Sequence, residues 1–195
     1  MTFHANLSAE SFARAALCQF NEKTRYYLGG VQIEPCKSGP GALMIATDGN
    51  ILVVIHDPEG FVTPDASAII ALPQSLMKMC KGDERLEIND DTATVGGLTV
   101  SGVTIKDATY PNWRVVMPKT VSTGAAQGVG FDAVLYARLA KAVTAPFSGK
   151  VQTVSIFGAS PTDPHHMRGS DLNAIGVIMP HRGAPDFTAM PEFIA

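Results

Sequence analysis

Ala42-Leu43-Met44-Ile45-Ala46-Thr47-Asp48-Gly49-Asn50-Ile51-Leu52-Val53-Val54-Ile55 is the stretch that decides how this chain folds. Two apolar runs flank Asp48-Gly49, a dipeptide that accepts the positive φ of a tight turn. Ala42–Thr47 and Ile51–Ile55 therefore read as antiparallel strands. The same signature recurs outward. Tyr27–Glu34 reads as a strand ahead of this pair. Arg85–Asn89 turns at Asp90-Asp91 into Thr92–Val95, and Gly96-Gly97 turns back into Leu98–Ile105. Val151–Phe157 and Ala174–Met179 supply two more strands.

Three helices interrupt the strands. Ser8 caps a helix whose apolar side is Phe12, Ala13, Ala16, Leu17 and Phe20. Pro73, suited to a first helical turn, follows the run Ala68–Leu72 and opens a helix that buries Leu76, Met77 and Cys80 and ends at Gly82. Asp132 caps a third, with Leu135, Leu139 and Val143 facing inward. The helices start near residues 8, 73 and 132, which makes an internal repeat of roughly 60 residues, too long for a common solenoid. Each copy is a short strand, a capped helix and antiparallel strands. That predicts an α+β fold with the helices on one face of the sheets. The third copy is shorter, because 158–172 reads as a loop. Lys119–Gly130 reads as a linker.

The chain has 195 residues, 46% hydrophobic and only 17% charged, which is the composition of a folded protein. Its formal charge of −3 excludes a chain that grips nucleic acid by being basic throughout. The runs Ile51–Ile55 and Ala68–Leu72 are too short to cross a bilayer, and Met1–Asn6 lacks the pattern of a signal peptide. Cys18, Cys36 and Cys80 form no CxxC pair, so a cytoplasmic protein with reduced thiols is expected.

The charge is unevenly placed. Arg14, Lys78, Lys81, Arg138 and Lys141 lie on the helices, against the first-turn acids Glu10 and Asp132. Helices side by side would gather these bases into a positive strip on a negative body, able to attract phosphates at short range; an ordinary charged outer helix face gives the same pattern. Enzyme signatures are weak. Pro146–Val151 lacks the residues of a phosphate loop, with Thr144 and Val151 at the two deciding positions. His165-His166, near Asp163 and Asp171, reads as a solvent-exposed pair in a polar loop more readily than as a metal site. No nucleophile elbow appears. No catalytic residue, metal or cofactor is expected.

Four segments carry a resemblance. They are Thr24-Arg25-Tyr26-Tyr27-Leu28-Gly29-Gly30, Ala46–Leu52, Tyr110-Pro111-Asn112-Trp113-Arg114-Val115-Val116-Met117-Pro118, and Ile175–Arg182. In content and order they resemble the sliding-clamp family, specifically the bacterial beta subunit of DNA polymerase III. The resemblance implies a complete clamp-like domain over 1–118, a linker over 119–130, a partial domain over 131–182 and a tail over 183–195. It implies a non-enzymatic DNA sliding clamp or processivity factor. Duplex DNA would face Arg14, Lys78, Lys81, Arg138 and Lys141. A short hydrophobic peptide of a DNA polymerase or other replication protein would dock in a cleft of Leu28, Thr47, Gly49, Leu52, Pro111, Val116, Val177, Ile178, Met179 and Pro180. Counted in repeats, ring closure by this shortened chain implies a homo-oligomer, by analogy a tetramer. The same residues also fit a clamp-derived peptide-binding or regulatory module that never encircles DNA. The family's His-Arg after Thr-Asp-Gly is Asn50-Ile51 here, and the second arginine of its Arg-Arg pair is Val115. The tail's Phe187, Met190 and Phe193 offer further apolar groups to such a cleft.

Overall fold

The computed structural model describes residues 2–20, 23–105, 108–117, 129–145 and 153–181. Pro118, the linker up to residue 128, Pro146–Val151, Arg182 and the tail 183–195 lie outside the described residues.

Strand β1 (His4–Ser8) runs directly into helix α1 (Ala9–Ala16). Ser8 serves both, since its Oγ accepts a hydrogen bond from the Ser11 N–H at 3.2 Å. A 3-10 turn over Lys23–Leu28, kinked at Arg25, leads to β2 (Val31–Pro35). Then come β3 (Ala42–Thr47), β4 (Ile51–Asp57), β5 (Phe61–Val62) and β6 (Ala68–Ile70). Helix α2 (Gln74–Met77) is a single turn, followed by β7 (Arg85–Asn89), β8 (Thr92–Val95) and β9 (Leu98–Ser101). A second 3-10 turn occupies Trp113–Val115. In α3 (Ala133–Val143) the Asp132 carboxylate caps the N–H groups of Val134 and Leu135 at 2.8 and 3.0 Å. Strands β10 (Ser155–Phe157), β11 (His165–Arg168) and β12 (Ala174–Ile178) complete the described fold.

Every pairing is antiparallel. A five-stranded sheet has the order β5-β1-β7-β8-β9, and a seven-stranded sheet has the order β10-β11-β12-β4-β3-β2-β6. The segment expected to form a partial domain shares a sheet with the rest of the chain, because β12 pairs with β4 through Gly176↔Val53 and Val177↔Leu52. Helix α1 packs on β3 and β4 while α3 packs on β12, β4 and β11, so the two helices lie together on one face of the larger sheet.

Strand β4 explains its own sequence. Ile51, Val53 and Ile55 face the helices and join the main core with Phe12, Met44, Leu139 and Ile178. Leu52 and Val54 face the other way, into a second apolar cluster with Ile45 and Val177. A strand buried on both faces reads as an unbroken apolar run.

Some expectations are corrected. Tyr27 and Leu28 belong to a 3-10 turn, and the strand begins only at Val31. Gly30 stands between the turn and the strand, and β6 closes over its bare backbone: a Cβ there would sit 2.8 Å from the Ile70 carbonyl and 2.9 Å from the Ile69 side chain. The helix expected from Pro73 to Gly82 stops at Met77, although Leu76 and Cys80 are buried as anticipated. The strand from Leu98 stops at Ser101, where Gly102 adopts φ 76°. His165 and His166 do not sit in a solvated loop. They begin β11, pair with Ile178 and Val177, and are buried.

The His166 ring stacks on Phe157, with centroids 5.0 Å apart and planes 17° from parallel. Burial, and then the charges of Arg168 and His165, hold its pKa below the ordinary 6.5. The unfolded chain therefore binds this proton more readily than the native one. The stabilisation is complete above pH 6.5 and is lost as pH falls from there towards the native pKa. In urea unfolding between pH 8 and 5, the wild type is expected to lose more stability on acidification than His166→Phe. Parallel pH profiles would refute this assignment.

Candidate functional site

The Asp48-Gly49 turn is held from behind. Asp48 Oδ1 accepts the N–H groups of Asn50 and Ile51 at 2.9 and 3.0 Å, and Thr47 Oγ1 accepts the Gly49 N–H at 3.0 Å while donating to the Ile51 carbonyl at 2.7 Å. Gly49 sits at φ 96°, which a side chain would resist. The buried Asp48 carboxylate keeps one oxygen free for Arg138 of α3, whose Nη1 lies 2.9 Å from Oδ2. The rest of that guanidinium donates to the carbonyls of Leu17 and Gln19, just past α1.

In front of this turn lies a cavity of about 280 Å³. Leu28 comes from the first 3-10 turn; Thr47, Gly49 and Leu52 from the hairpin; Pro111 and Val116 from the segment around the second 3-10 turn; and Val177 and Met179 from β12 and the residue beyond its end. Leu28, Leu52 and Val177 are nearly inaccessible and make the floor, whereas Val116 and Met179 are exposed at the rim. Ile178 and Pro180 are not among the lining residues. The two-residue period of a strand turns Ile178 into the helix-side core, at 0% exposure, and Pro180 is buried beyond the cavity.

Sequence reasoning missed Arg25, Tyr27, Asn50, Ile51, Asn112 and Trp113, which line the same cavity. All lie inside or beside the quoted motifs, so the signal was present. What was missing was side-chain direction, which the 3-10 turns set. Arg114 stacks 4.1 Å above the Trp113 ring and pairs with Glu34, and the Trp113 Nε1–H is buried without an acceptor among the described residues. Tyr110 donates to the Ile45 carbonyl beneath the cavity at 3.4 Å, and burial pushes its phenol well above the usual range.

The basic set divides. Lys78, Lys81 and Lys141 are exposed and make no ion pair among the described residues. Arg14 and Arg138 depart from the expectation of a solvated strip. Arg14 is bound to Asp171 at 2.7 Å and to the Thr144 carbonyl at 3.1 Å. The two arginines are related through the repeat. Each stands at the same place in its helix after the cap (Ser8 or Asp132), and each bonds the aspartate that leads into the other unit's central strand, Asp171 before β12 and Asp48 before β4. Lys78 and Lys81 lie after the single turn of α2, not on a helix face.

No three His, Cys, Asp or Glu side chains among the described residues cluster in a way that could hold a metal ion. No helix among them is long and apolar enough to cross a membrane.

No protein-family model and no curated protein matches the sequence. Solved structures do match. The DNA polymerase III subunit beta from Pseudomonas aeruginosa superposes with a TM-score of 0.65 at 14% identity, over 92% of this chain and 66% of that one. The fold is that of a bacterial sliding clamp. Caulobacter crescentus pol III beta gives 0.64 at 16%, over 92% of this chain and 65% of that one. The DnaN sliding clamp from Bartonella birtlesii, bound to griselimycin, gives 0.63 at 17%, over 92% and 66%. The chain spans about 66% of the length of the Pseudomonas aeruginosa and Bartonella birtlesii clamps.

Proposed function

We propose that this chain is a non-enzymatic DNA sliding clamp or processivity factor. Its cleft docks a short hydrophobic peptide of a DNA polymerase or another replication protein, and copies of the chain assemble into a ring around duplex DNA. The observation that carries this reading is the cavity at the Asp48-Gly49 turn. It gathers residues from the hairpin, both 3-10 turns and the end of β12 into one apolar trough, and such a trough with a flexible Met at its rim suits one or two apolar anchors. The Bartonella birtlesii clamp with this fold was solved with griselimycin, a peptide-like ligand. Strand β9 ends the five-stranded sheet with Leu98, Thr99 and Ser101 exposed, an edge that a second copy could extend.

Enclosure would hold the ring on DNA, with screened contacts to phosphate letting it slide. Of the five bases expected to face DNA, Lys78, Lys81 and Lys141 are the ones without an ion pair among the described residues and so are free to make them. Light scattering over a concentration series tests the ring: a stable assembly, a tetramer above all, supports it, and a persistent monomer removes it. The combined reversal of Lys78, Lys81 and Lys141 to Glu is expected to abolish stimulation of the partner polymerase on primed DNA while leaving peptide binding intact. Undiminished stimulation would refute the DNA contact.

The engagement of Arg14 and Arg138 in ion pairs between the two units favours a second reading, a clamp-derived docking module that does not encircle DNA. It predicts a monomer with full peptide affinity, indifferent to lysine reversal.

A further inference from the structure

On the face of the larger sheet turned away from the helices, Ile69, Gln32, Ile45 and Val54 stand opposite one another across β6, β2, β3 and β4. Three are buried aliphatics; the fourth is a carboxamide residue only 9% exposed. The Gln32 side chain makes no hydrogen bond among the described residues. A buried amide without a partner is penalised, so such a row ordinarily takes another aliphatic. Gln32 opens instead onto a cavity of about 520 Å³, separate from the cleft: Tyr110 lines the one, and Pro111 begins the lining of the other. Asp90 lines the same cavity from the turn between β7 and β8, at φ 49°. Its Oδ1 accepts the Phe3 N–H at 2.8 Å, and no cation pairs with it among the described residues. Phe3 and Tyr110 bring aromatic rings to the lining, and Ile69 and Ile105 bring aliphatic surface. No base lines the cavity among the described residues.

We propose that this cavity is a second binding site, independent of what docks in the cleft, and that it takes the side chain of an arginine presented by a partner protein. A guanidinium holds five N–H donors in one plane and no acceptor. It can donate to the Asp90 carboxylate and to Gln32 Oε1 together, which neutralises the acid and gives the buried amide a partner. Aromatic rings favour a flat, weakly hydrated cation, and the aliphatic stem of an arginine suits Ile69 and Ile105. A neutral ureido group of the same shape brings no charge to Asp90, and an ammonium lacks the planar fork. An arginine ligand is therefore expected to bind about tenfold more tightly than its citrulline counterpart at low ionic strength, with the advantage shrinking as salt is raised.

Titration of the full-length chain with Nα-acetylarginine methylamide, followed at the Ile69 backbone amide by nuclear magnetic resonance, tests this. Wild type is expected to show a saturable shift, with a much weaker response to the citrulline and lysine derivatives. Asp90→Asn keeps an acceptor for the Phe3 N–H and a residue tolerant of positive φ, and should weaken arginine binding about tenfold. Gln32→Leu should also weaken it while raising the urea midpoint, because the unpartnered amide is gone; a lowered midpoint would assign Gln32 to the fold and overturn the proposal. An equal response to the citrulline or lysine derivative, or arginine binding untouched by Asp90→Asn, overturns it as well. Lys106 stands in sequence between Ile105 and Ala108, outside the described residues. Binding that appears only in Lys106→Ala would mean that the chain's own lysine fills the cavity, which also overturns it.

Discussion

Arg138→Met is expected to lower the unfolding free energy by about 3 kcal/mol, at the lower end of the range for breaking a buried pair. The lower end applies because the arginine side chain is 28% exposed, while that of Asp48 is only 7% exposed. Removal of the guanidinium leaves the Asp48 carboxylate buried beside a turn whose N–H groups occupy only one of its oxygens. It also strips the carbonyls of Leu17 and Gln19 of their donor. Urea unfolding followed by circular dichroism measures the loss. A change under about 1 kcal/mol would mean that solvent screens the pair as at an open surface. Arg14→Met, the counterpart at the other end of the paired central strands, should cost a similar amount, because Arg14 and Asp171 are both largely buried. The cleft distinguishes them. Arg138→Met should speed hydrogen exchange at the Asn50 and Ile51 amides, whereas Arg14→Met should leave these unchanged.

Leu139→Ala is expected to cost about 2–5 kcal/mol. Leu139 is fully buried and rests on the bare backbone of Gly176 in β12, where an added Cβ would meet the leucine side chain at 2.7 Å. The leucine fills what the glycine leaves open, and truncating it opens a cavity between α3 and the central strands. Gly176→Ala alone should also destabilise, by about 1–3 kcal/mol, through overpacking. The two changes occupy the same space with opposite sign. The double variant is therefore expected to be more stable than the sum of the single losses predicts. Strict additivity in denaturant midpoints would show that α3 shifts away from β12 and does not lock onto it.

Sequence by itself determined the elements whose cause is local. Ser8 and Asp132 announced their helices because a cap is a bond between residues two or three apart. Ala42–Thr47, Arg85–Asn89 and Thr92–Val95 were legible to the residue, since each is bounded by a turn with its own chemistry. The four motif segments also named most of the cleft, because the hairpin turn and the end of β12 carry their signals in consecutive residues.

Tertiary structure decided everything that depends on what lies opposite. His165-His166-Met167-Arg168 has polar names and no alternation, so it reads as loop; it is a strand because β10 and β12 flank it and bury both imidazoles. Ile178 belongs with its neighbours in a motif but turns its side chain to the helices, since a strand gives each face only every second residue. Arg14 and Arg138 look like solvated helix bases until β4 and β12 come side by side and place an aspartate before each. Charge on a helix can be counted from a sequence. Whether that charge is free to meet phosphate depends on partners far away in the chain, and only the folded sheet supplies them.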